Sequence, residues 1–478
     1  MRIAIIGTGY VGLVTGACFA QAGHRVTCVD VDRPKINLLN KGKMPIYEPG
    51  LSELITKGRQ QKALGFSSDA RAIAASTEAV FLAVGTPSSG QDGSADLTNL
   101  YEAVREIAPA LQDGCLVVIK STVPVGTGEE VQRLIESLRP ELDFDVASNP
   151  EFLRAGRAID DFKMPDRVVI GADSERALDA LTGLYCAMGI EPTRVVATQR
   201  RAAELIKYAA NGLLAAKIAF INEIADLCEK VDARVGDVAL GIGLDCRIGR
   251  QFLDAGPGFG GSCFPKDARA LAKAGEEHGT PMRIIEAVLA SNEMRKRSMA
   301  AKIRAASGGD LQGKIIALLG LTFKAGTDDM REAPSIDLVQ ALVEDGAIVH
   351  AYDPVGIERA KPLLPECVRY HRTALDAATG AAAAVIVTEW DEFRHLDLAR
   401  LKRRMAEPLL IDLRNMLSAE HVTRRGFKYC AIGNGTSPSR DHAFEVWSKP
   451  RAATYGTGEG TGKRASIPLN PKVVAAAE

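Results

Sequence analysis

Arg2-Ile3-Ala4-Ile5-Ile6-Gly7-Thr8-Gly9-Tyr10-Val11-Gly12 decides how the rest of the chain is read. A short apolar run ends in glycine. Small and apolar residues suited to a closely packed helix follow from Val11 to Ala22, and Gly23 stops them. Arg25 to Val29 reads as a second strand, closed by Asp30. Glycines at positions 7, 9 and 12 allow a tight turn and close backbone approach to a pyrophosphate at the positive end of a helix. Asp30, 18 residues after Gly12, suits a ribose diol and repels a 2′-phosphate, which favours NAD over NADP. Lys35 either adds charge beside that cofactor or is a solvated lysine.

Outward from this unit the alternation continues. Apolar runs at Ala79 to Val84, Leu116 to Lys120 and Val146 to Ser148 are separated by helical segments, the pattern of a parallel sheet covered on both faces. From Arg200 to Val231 there is no proline and one glycine, with Leu205, Ala209, Leu213, Ala216, Phe220, Ile224 and Leu227 at helical spacing. A helix of 32 residues would span about 48 Å, so it bridges two lobes or forms a subunit interface. Helical patterning runs on to about Ala306 around a glycine-rich stretch, Gly256 to Gly261. At Gly313 the alternation restarts: strand Ile315 to Leu319, helix Pro334 to Asp345 and strand Ile348 to Tyr352 ending at Asp353 echo the first unit. Ala384 to Val387 and Leu409 to Ile411 read as further strands.

The expected fold is therefore α/β, with two Rossmann-like doubly wound domains joined by a helical centre containing the long bridging helix. The expected division is 1–199, 200–306 and 307–436, with a flexible tail at 437–478 that holds few large apolar residues.

With 478 residues, 46% hydrophobic and 25% charged, the chain is long enough for about three domains of ordinary globular composition. Its 59 basic and 60 acidic residues leave a net charge of −1, which argues against nucleic acid or an anionic membrane surface as partner. No apolar run is long enough to span a bilayer, and the start lacks the pattern of a secretory signal. Nine scattered cysteines, with no CxxC pair and no Cys/His cluster for a metal, suit a reducing cytoplasm; most should be small buried hydrophobes.

One of them stands apart. Gly258-Phe259-Gly260-Gly261-Ser262-Cys263-Phe264-Pro265-Lys266-Asp267 places three glycines before a cysteine that leads into a helix. A helix N-terminus and Lys266 should lower the Cys263 thiol pKa, and Asp267 should share its helix face. An NAD site plus a thiolate suggests oxidation of an alcohol to an aldehyde, capture of that aldehyde on sulfur, and oxidation to a thioester that water cleaves. The seven histidines fall outside these segments, which disfavours a histidine-based alcohol dehydrogenase. Lys207 and Asn211 share a face of the long helix and are suited to an oxyanion. Periodicity by itself makes that face solvated. Glu151, in Asn149-Pro150-Glu151-Phe152-Leu153-Arg154, follows a strand end, where it either activates a water or serves as a helix N-terminal acid.

Together these motifs resemble the UDP-glucose 6-dehydrogenase family, from residue 1 to about 435. Ile46-Tyr47-Glu48-Pro49-Gly50-Leu51, Val84-Gly85-Thr86-Pro87, Lys120-Ser121-Thr122-Val123-Pro124 and Thr322-Phe323-Lys324 through Met330-Arg331-Glu332 complete the resemblance. It implies two-step oxidation of UDP-glucose to UDP-glucuronate with two NAD reduced, a UDP-binding carboxyl-terminal domain, and a homodimer formed through the long helix. By motif, Cys263 is the nucleophile, Lys207 and Asn211 hold the oxyanion, Asp267 with a water moves protons, and Glu151 is the hydrolytic base with Thr122 holding a water. NAD contacts fall to Gly7, Gly9, Val11, Gly12, Asp30, Lys35, Thr86, Thr122, Lys266 and Arg331. Sugar-nucleotide contacts fall to Glu151, Phe152, Leu153, Arg154, Lys207, Asn211, Phe252, Leu253, Asp254, Ala255, Gly256, Gly260, Lys324 and Arg414, with Arg247 reaching across the dimer. A GDP-mannose or UDP-N-acetylhexosamine dehydrogenase with the same chemistry is the alternative. Many members carry a second glutamate four residues after the first, where this chain has Ala155.

Overall fold

The computed structural model describes residues 1–89 and 93–434; the predicted tail at 437–478 lies outside the described residues. Two sheets hold the architecture. The first contains β1 (Arg2–Ile6), β2 (Arg25–Val29), β3 (Leu64–Ser67), β4 (Ala79–Leu82), β5 (Cys115–Ile119), β6 (Phe144–Ser148), β7 (Val168–Ala172) and β8 (Val195–Thr198), ordered β3-β2-β1-β4-β5-β6-β7-β8. The second contains β9 (Ile315–Leu319), β10 (Ile348–Tyr352), β11 (Arg369–Tyr370), β12 (Ala383–Ile386), β13 (Leu409–Asp412) and β14 (Lys428–Ala431), ordered β11-β10-β9-β12-β13-β14. Between them lie the helices Arg200–Val231, Val235–Gly243, Phe264–Glu277 and Arg283–Ala306. No helix among the described residues is long and apolar enough to cross a membrane.

The central strands read as continuous apolar runs because both faces are covered. In β1, Ile3 and Ile5 enter one core while Ala4 and Ile6 enter the other. In β9, Ile316 and Leu318 face one side, Ala317 and Leu319 the opposite one. The echo between the two units is geometric as well. Gly7 N–H donates to Val29 O and Gly320 N–H to Tyr352 O, both at 2.7 Å, and the two glycines have φ of +106° and +93°.

The first sheet departs from the expected all-parallel pattern at one place. β7 runs antiparallel to β6, pairing Ala147 with Ala172 and Ser148 with Gly171. The chain therefore leaves β6 at the carboxyl end of the sheet, makes an excursion through residues 149–167, and returns beside the strand it left. That excursion carries Glu151 to Arg154. Gly171 then lets the long helix come close, since a Cβ there would lie 2.5 Å from Ala203 Cβ.

The long helix has the predicted bounds, but the face of Lys207 and Asn211, solvated by periodicity alone, is buried. Leu205, Leu213, Phe220 and Leu227 are exposed, whereas Glu204, Lys207, Asn211 and Asn222 are buried. The reason lies at Gly212, where a Cβ would stand 3.0 Å from Ile285 Cδ1 and 3.2 Å from Leu271 Cδ2. Helices Phe264–Glu277 and Arg283–Ala306 close on the small-residue side of the long helix and bury the polar side chains on it.

Candidate active site

The dinucleotide turn sits between β1 and helix Tyr10–Gln21. A Cβ on Gly12 would stand 1.9 Å from Gly7 O, and one on Gly7 would stand 2.4 Å from Ala83 O. Both positions therefore exclude any side chain. Gly9 is different: nothing lies within 4 Å of its would-be Cβ, and no side chain caps the helix it begins. The uncapped N-terminus thus faces open space of the kind a pyrophosphate fills. Val11 is half-buried in the first turn.

Asp30 accepts from Thr8 N–H at 2.9 Å, Thr8 Oγ1 at 2.6 Å, Lys35 Nζ at 2.8 Å and Asp32 N–H at 3.0 Å. Burial pushes its carboxyl up, but Lys35, Thr8 and Asp32 hold it below the usual value, so it stays an acceptor. Lys35 is thus the carboxylate's ion partner and not the free surface lysine of the alternative reading. Thr86 Oγ1 donates to Thr122 O at 2.8 Å and ties together the loops after β4 and β5, at the carboxyl edge where such sheets bind ligands. The residues present fit an NAD molecule.

The second unit is not a second site of this kind. Asp353, 1% exposed, spends its oxygens on the N–H groups of Leu321, Thr322, Val355 and Gly356 and on Trp390 Nε1. Only Gly320 remains of the glycine pattern, and its Cβ would stand 2.4 Å from Thr388 Cβ.

Five polar side chains form two hydrogen-bonded groups near Cys263. Lys207 Nζ donates to Glu151 Oε1 at 3.1 Å, with the side chains 4% and 7% exposed. Asn211 Nδ2 donates to Asp267 Oδ2 at 2.5 Å, and Lys266 Nζ to Asp267 Oδ1 at 2.7 Å. Asp267 N–H donates to Cys263 O at 2.8 Å, which fixes the expected shared helix face. Glu151 is not a helix N-terminal acid: it lies in an irregular segment, and its Oε2 accepts the Leu153 N–H at 2.6 Å.

The charges explain one another. Burial alone would raise the Glu151 carboxyl, yet the Lys207 charge, the Leu153 N–H and the Lys120 charge hold it below the usual range. Burial likewise opposes the Lys207 ammonium, but Glu151, Cys263 and Asp267 raise it above its ordinary value. The Cys263 thiol is a correction. It lies above, not below, its ordinary value, because burial and the Glu151 charge outweigh the Lys207 charge. Lys266 does not lower it, being turned to Asp267. Among the cysteines, Cys18, Cys28, Cys115 and Cys228 are buried while Cys246 and Cys367 are exposed, fewer interior thiols than expected.

The glycine loop before Cys263 is clamped to the segment after β9. Gly261 N–H donates to Arg331 O at 2.8 Å, and a Cβ on Gly260 would stand 2.2 Å from Glu332 O. Arg331 itself forks onto Asp329 at 2.9 and 2.7 Å. Gly256 N–H donates to Asn222 Oδ1 at 2.8 Å, and Arg414 Nη1 would stand 3.2 Å from a Gly256 Cβ, so Arg414 joins this neighbourhood. Lys324 is close enough to Cys263 for their charges to interact. Leu253 and Ala255 are buried, Phe252 adopts φ +64°, and Asp254 is exposed and paired with Arg250. Arg154 forks onto Asp161 at 2.9 and 2.5 Å. Arg247 stands 85% exposed, paired with Asp245.

Three groups were given no role by the sequence reading. Lys120, just after β5, points its amine at Asn149 Oδ1 (3.0 Å) and Tyr185 Oη (3.3 Å), and burial brings it down to about 7. Arg167 stacks on the Phe152 ring with its guanidinium carbon 3.6 Å from the centroid. Glu204, one turn before Lys207, accepts the Gly126 and Gly128 N–H groups at 2.7 and 2.8 Å, and burial raises it to about 7. The usable signals were a lysine at a strand end and an acid one turn before Lys207.

Residues 1–188, 201–294 and 317–419 match the NAD binding, central and UDP binding domains of the UDP-glucose/GDP-mannose dehydrogenase family. The chain belongs to that family. It is 54% identical over 435 residues to the UDP-glucose 6-dehydrogenase of Rhizobium meliloti, covering 91% of this chain and 99% of that protein. It is 44% identical over 445 residues to the UDP-glucose 6-dehydrogenase TuaD of Bacillus subtilis, covering 92% and 95%. Among solved structures of the family, a UDP-glucose dehydrogenase from Pyrobaculum islandicum superposes with a TM-score of 0.83 at 38% identity, covering 90% and 96%. A UDP-D-ManNAc dehydrogenase from Pyrococcus horikoshii gives 0.79 at 29%, covering 91% and 99%.

Proposed function

We propose that this chain oxidises UDP-glucose to UDP-glucuronate at the expense of two NAD, through a thioester on Cys263. The observation that carries the reading is the convergence of the Lys207–Glu151 pair and the Asn211–Asp267 pair near Cys263, on a glycine loop packed against the segment after β9. Residues 1–199 bind the cofactor, 200–306 bridge, and 307–436 bind the uridine nucleotide. The Gly7–Gly12 turn takes the pyrophosphate and Asp30 the ribose diol, with Lys35, Thr86, Thr122, Lys266 and Arg331 around them. NAD bound there would supply the hydride acceptor for the alcohol, and a second NAD replacing the NADH would supply it for the thiohemiacetal.

Each remaining step falls to the chain's own groups. The alcohol proton leaves through the water held by Asp267 as the aldehyde forms. The sulfur of Cys263 then adds to the aldehyde carbon, and its proton passes through the same water to the former carbonyl oxygen. The oxygen gains charge, and the Lys207 ammonium and Asn211 amide stabilise it. A raised thiol pKa suits this order, because the thiol ionises only when a carbonyl is present to take up the charge. After the second oxidation, Glu151 takes a proton from water, whose oxygen attacks the thioester and releases the acid and the thiol. The enclosing walls, Phe152 to Arg154, Phe252 to Gly256, Gly260, Lys324 and Arg414, hold the sugar nucleotide.

Exposed Leu205, Leu213, Phe220 and Leu227 form an apolar stripe along the long helix, which supports a homodimer there and a partner-supplied Arg247. The scattered cysteines favour the cytoplasm.

Substrate profiling by mass spectrometry tests the reading. UDP-glucose is expected to give UDP-glucuronate, and Cys263→Ser is expected to give none. Turnover of GDP-mannose without UDP-glucose, or undiminished acid from the serine variant, would overturn it.

A further inference from the structure

Ile46-Tyr47-Glu48-Pro49-Gly50-Leu51 carries part of the family resemblance, yet the chemistry above does not use it. Glu48 is 7% exposed, in an irregular stretch ahead of helix Leu51–Gln60. A carboxylate so placed needs partners. Its Oε1 accepts the Ala158 N–H at 2.8 Å; its Oε2 accepts the Gly156 N–H at 2.6 Å and the Tyr10 hydroxyl. Tyr10 Oη also accepts from Gly156 N–H at 3.0 Å. Tyr10 is the first residue of the helix whose N-terminus forms the dinucleotide turn.

The turn gripped in this way follows directly on Glu151 to Arg154. Gly156 has φ +81°, and a Cβ on it would stand 3.0 Å from Gly326 O, so the turn's far side abuts the loop that carries Lys324. Three parts of the chain therefore meet at one turn: the cofactor helix, the nucleophile-facing segment and the loop after β9. Position 155 is alanine, so the turn supplies no carboxylate of its own toward that helix. Glu48 and Tyr10 make the connection.

We propose that Tyr10 and Glu48 are positioning residues forming a latch that couples cofactor binding to sugar-nucleotide binding. A dinucleotide on the Gly7–Gly12 turn fixes the first residue of its helix. Tyr10, through Glu48, then holds the Arg154–Ala158 turn in the register that the sugar nucleotide uses. By reciprocity, each ligand tightens the other by the same factor. The latch rests on the functional reading given above.

Calorimetric titration of the full chain with NADH, with and without saturating UDP-glucose, tests it, because that pair does not turn over. The ratio of the two dissociation constants reads the coupling. About fivefold or more is expected for the native chain. The ratio should fall to near 1 in Tyr10→Phe, which keeps the ring and loses only the hydroxyl. Glu48→Gln should do the same, with both variants still binding each ligand singly. Lower stability and weaker binding with an unchanged ratio in either variant would mark a merely structural role and overturn the latch. A native ratio of 1 in a chain that still oxidises UDP-glucose would overturn the latch and leave the activity standing. A native chain that binds neither ligand would overturn both.

Discussion

Replacing Lys207 by methionine keeps much of the side chain's volume and removes the cation 3.1 Å from Glu151. Neither group can turn to solvent for help, their side chains being 4% and 7% exposed. Removing one partner of such a pair costs about 3–5 kcal/mol, most of it the stranded charge. Lys120 tempers the loss. Its amine is held down to about 7 by burial, with the Lys207 charge adding to the effect, so it gains charge once Lys207 is gone and faces the same carboxylate. The lower end, about 3 kcal/mol, is therefore expected. With an unfolding entropy of roughly 2.1 cal/mol/K per residue, a unit of this size loses about 3 °C in melting temperature. Adding Glu151→Gln removes the stranded charge and should restore most of that loss. Activity should fall about 10²–10³-fold with the oxyanion donor, and the double variant should not regain it. Calorimetric melting and kcat on the native chain, both single variants and the double variant separate the two effects. A Lys207→Met chain that melts with the native one, or a double variant no more stable than it, would refute the reasoning.

Two further outcomes follow from the charge arrangement. At pH 7, Cys263 should react with iodoacetamide more slowly than exposed Cys246 and Cys367, speed up as pH rises past the ordinary thiol range near 8.5, and slow further in Lys207→Met. Peptide mapping of the label checks this, and faster labelling of Cys263 at pH 7 would contradict it. Lys120 titrates near 7 in the folded chain and near 10.4 when unfolded, so the unfolded chain binds more protons between those values. Its contribution to stability is therefore lost as pH falls through 7 and grows as pH rises toward 10.4. Lys120→Met should flatten that rise in melting temperature, and an unchanged slope would contradict the assignment.

Nine of the fourteen described strands and the glycine turns were legible in the sequence because their determinants are local, while β3, β7, β8, β11 and β14 went unread. β9, β10 and the long helix have the predicted bounds, and Asp30 and Asp353 end their strands as read. The reversed direction of β7 was not legible, since an apolar run such as Val168–Ala172 carries no sign of direction. The long helix shows the limit most clearly. Its periodicity made the Lys207 and Asn211 face solvated, but alanines and Gly212 on the side away from the leucines let two helices close over it. Lys207 and Asn211 are buried by those neighbours, a fact of tertiary packing that helical spacing cannot carry. The same holds for Cys263. Its helix position and Lys266 pointed to a lowered thiol, whereas Glu151, more than a hundred residues away in sequence, helps to raise it. Glu48 was legible as part of a motif, and its grip on the 154–158 turn became visible only once the two segments met.

The account's central claim is that one site carries a primary alcohol to an acid without releasing the aldehyde. The most direct measurement is the amount of NADH formed per UDP-glucose consumed, followed to completion with the product identified. Two NADH per substrate, with UDP-glucuronate as the product and no free aldehyde, is the expected result. One NADH per substrate, with the aldehyde accumulating in solution, would contradict it.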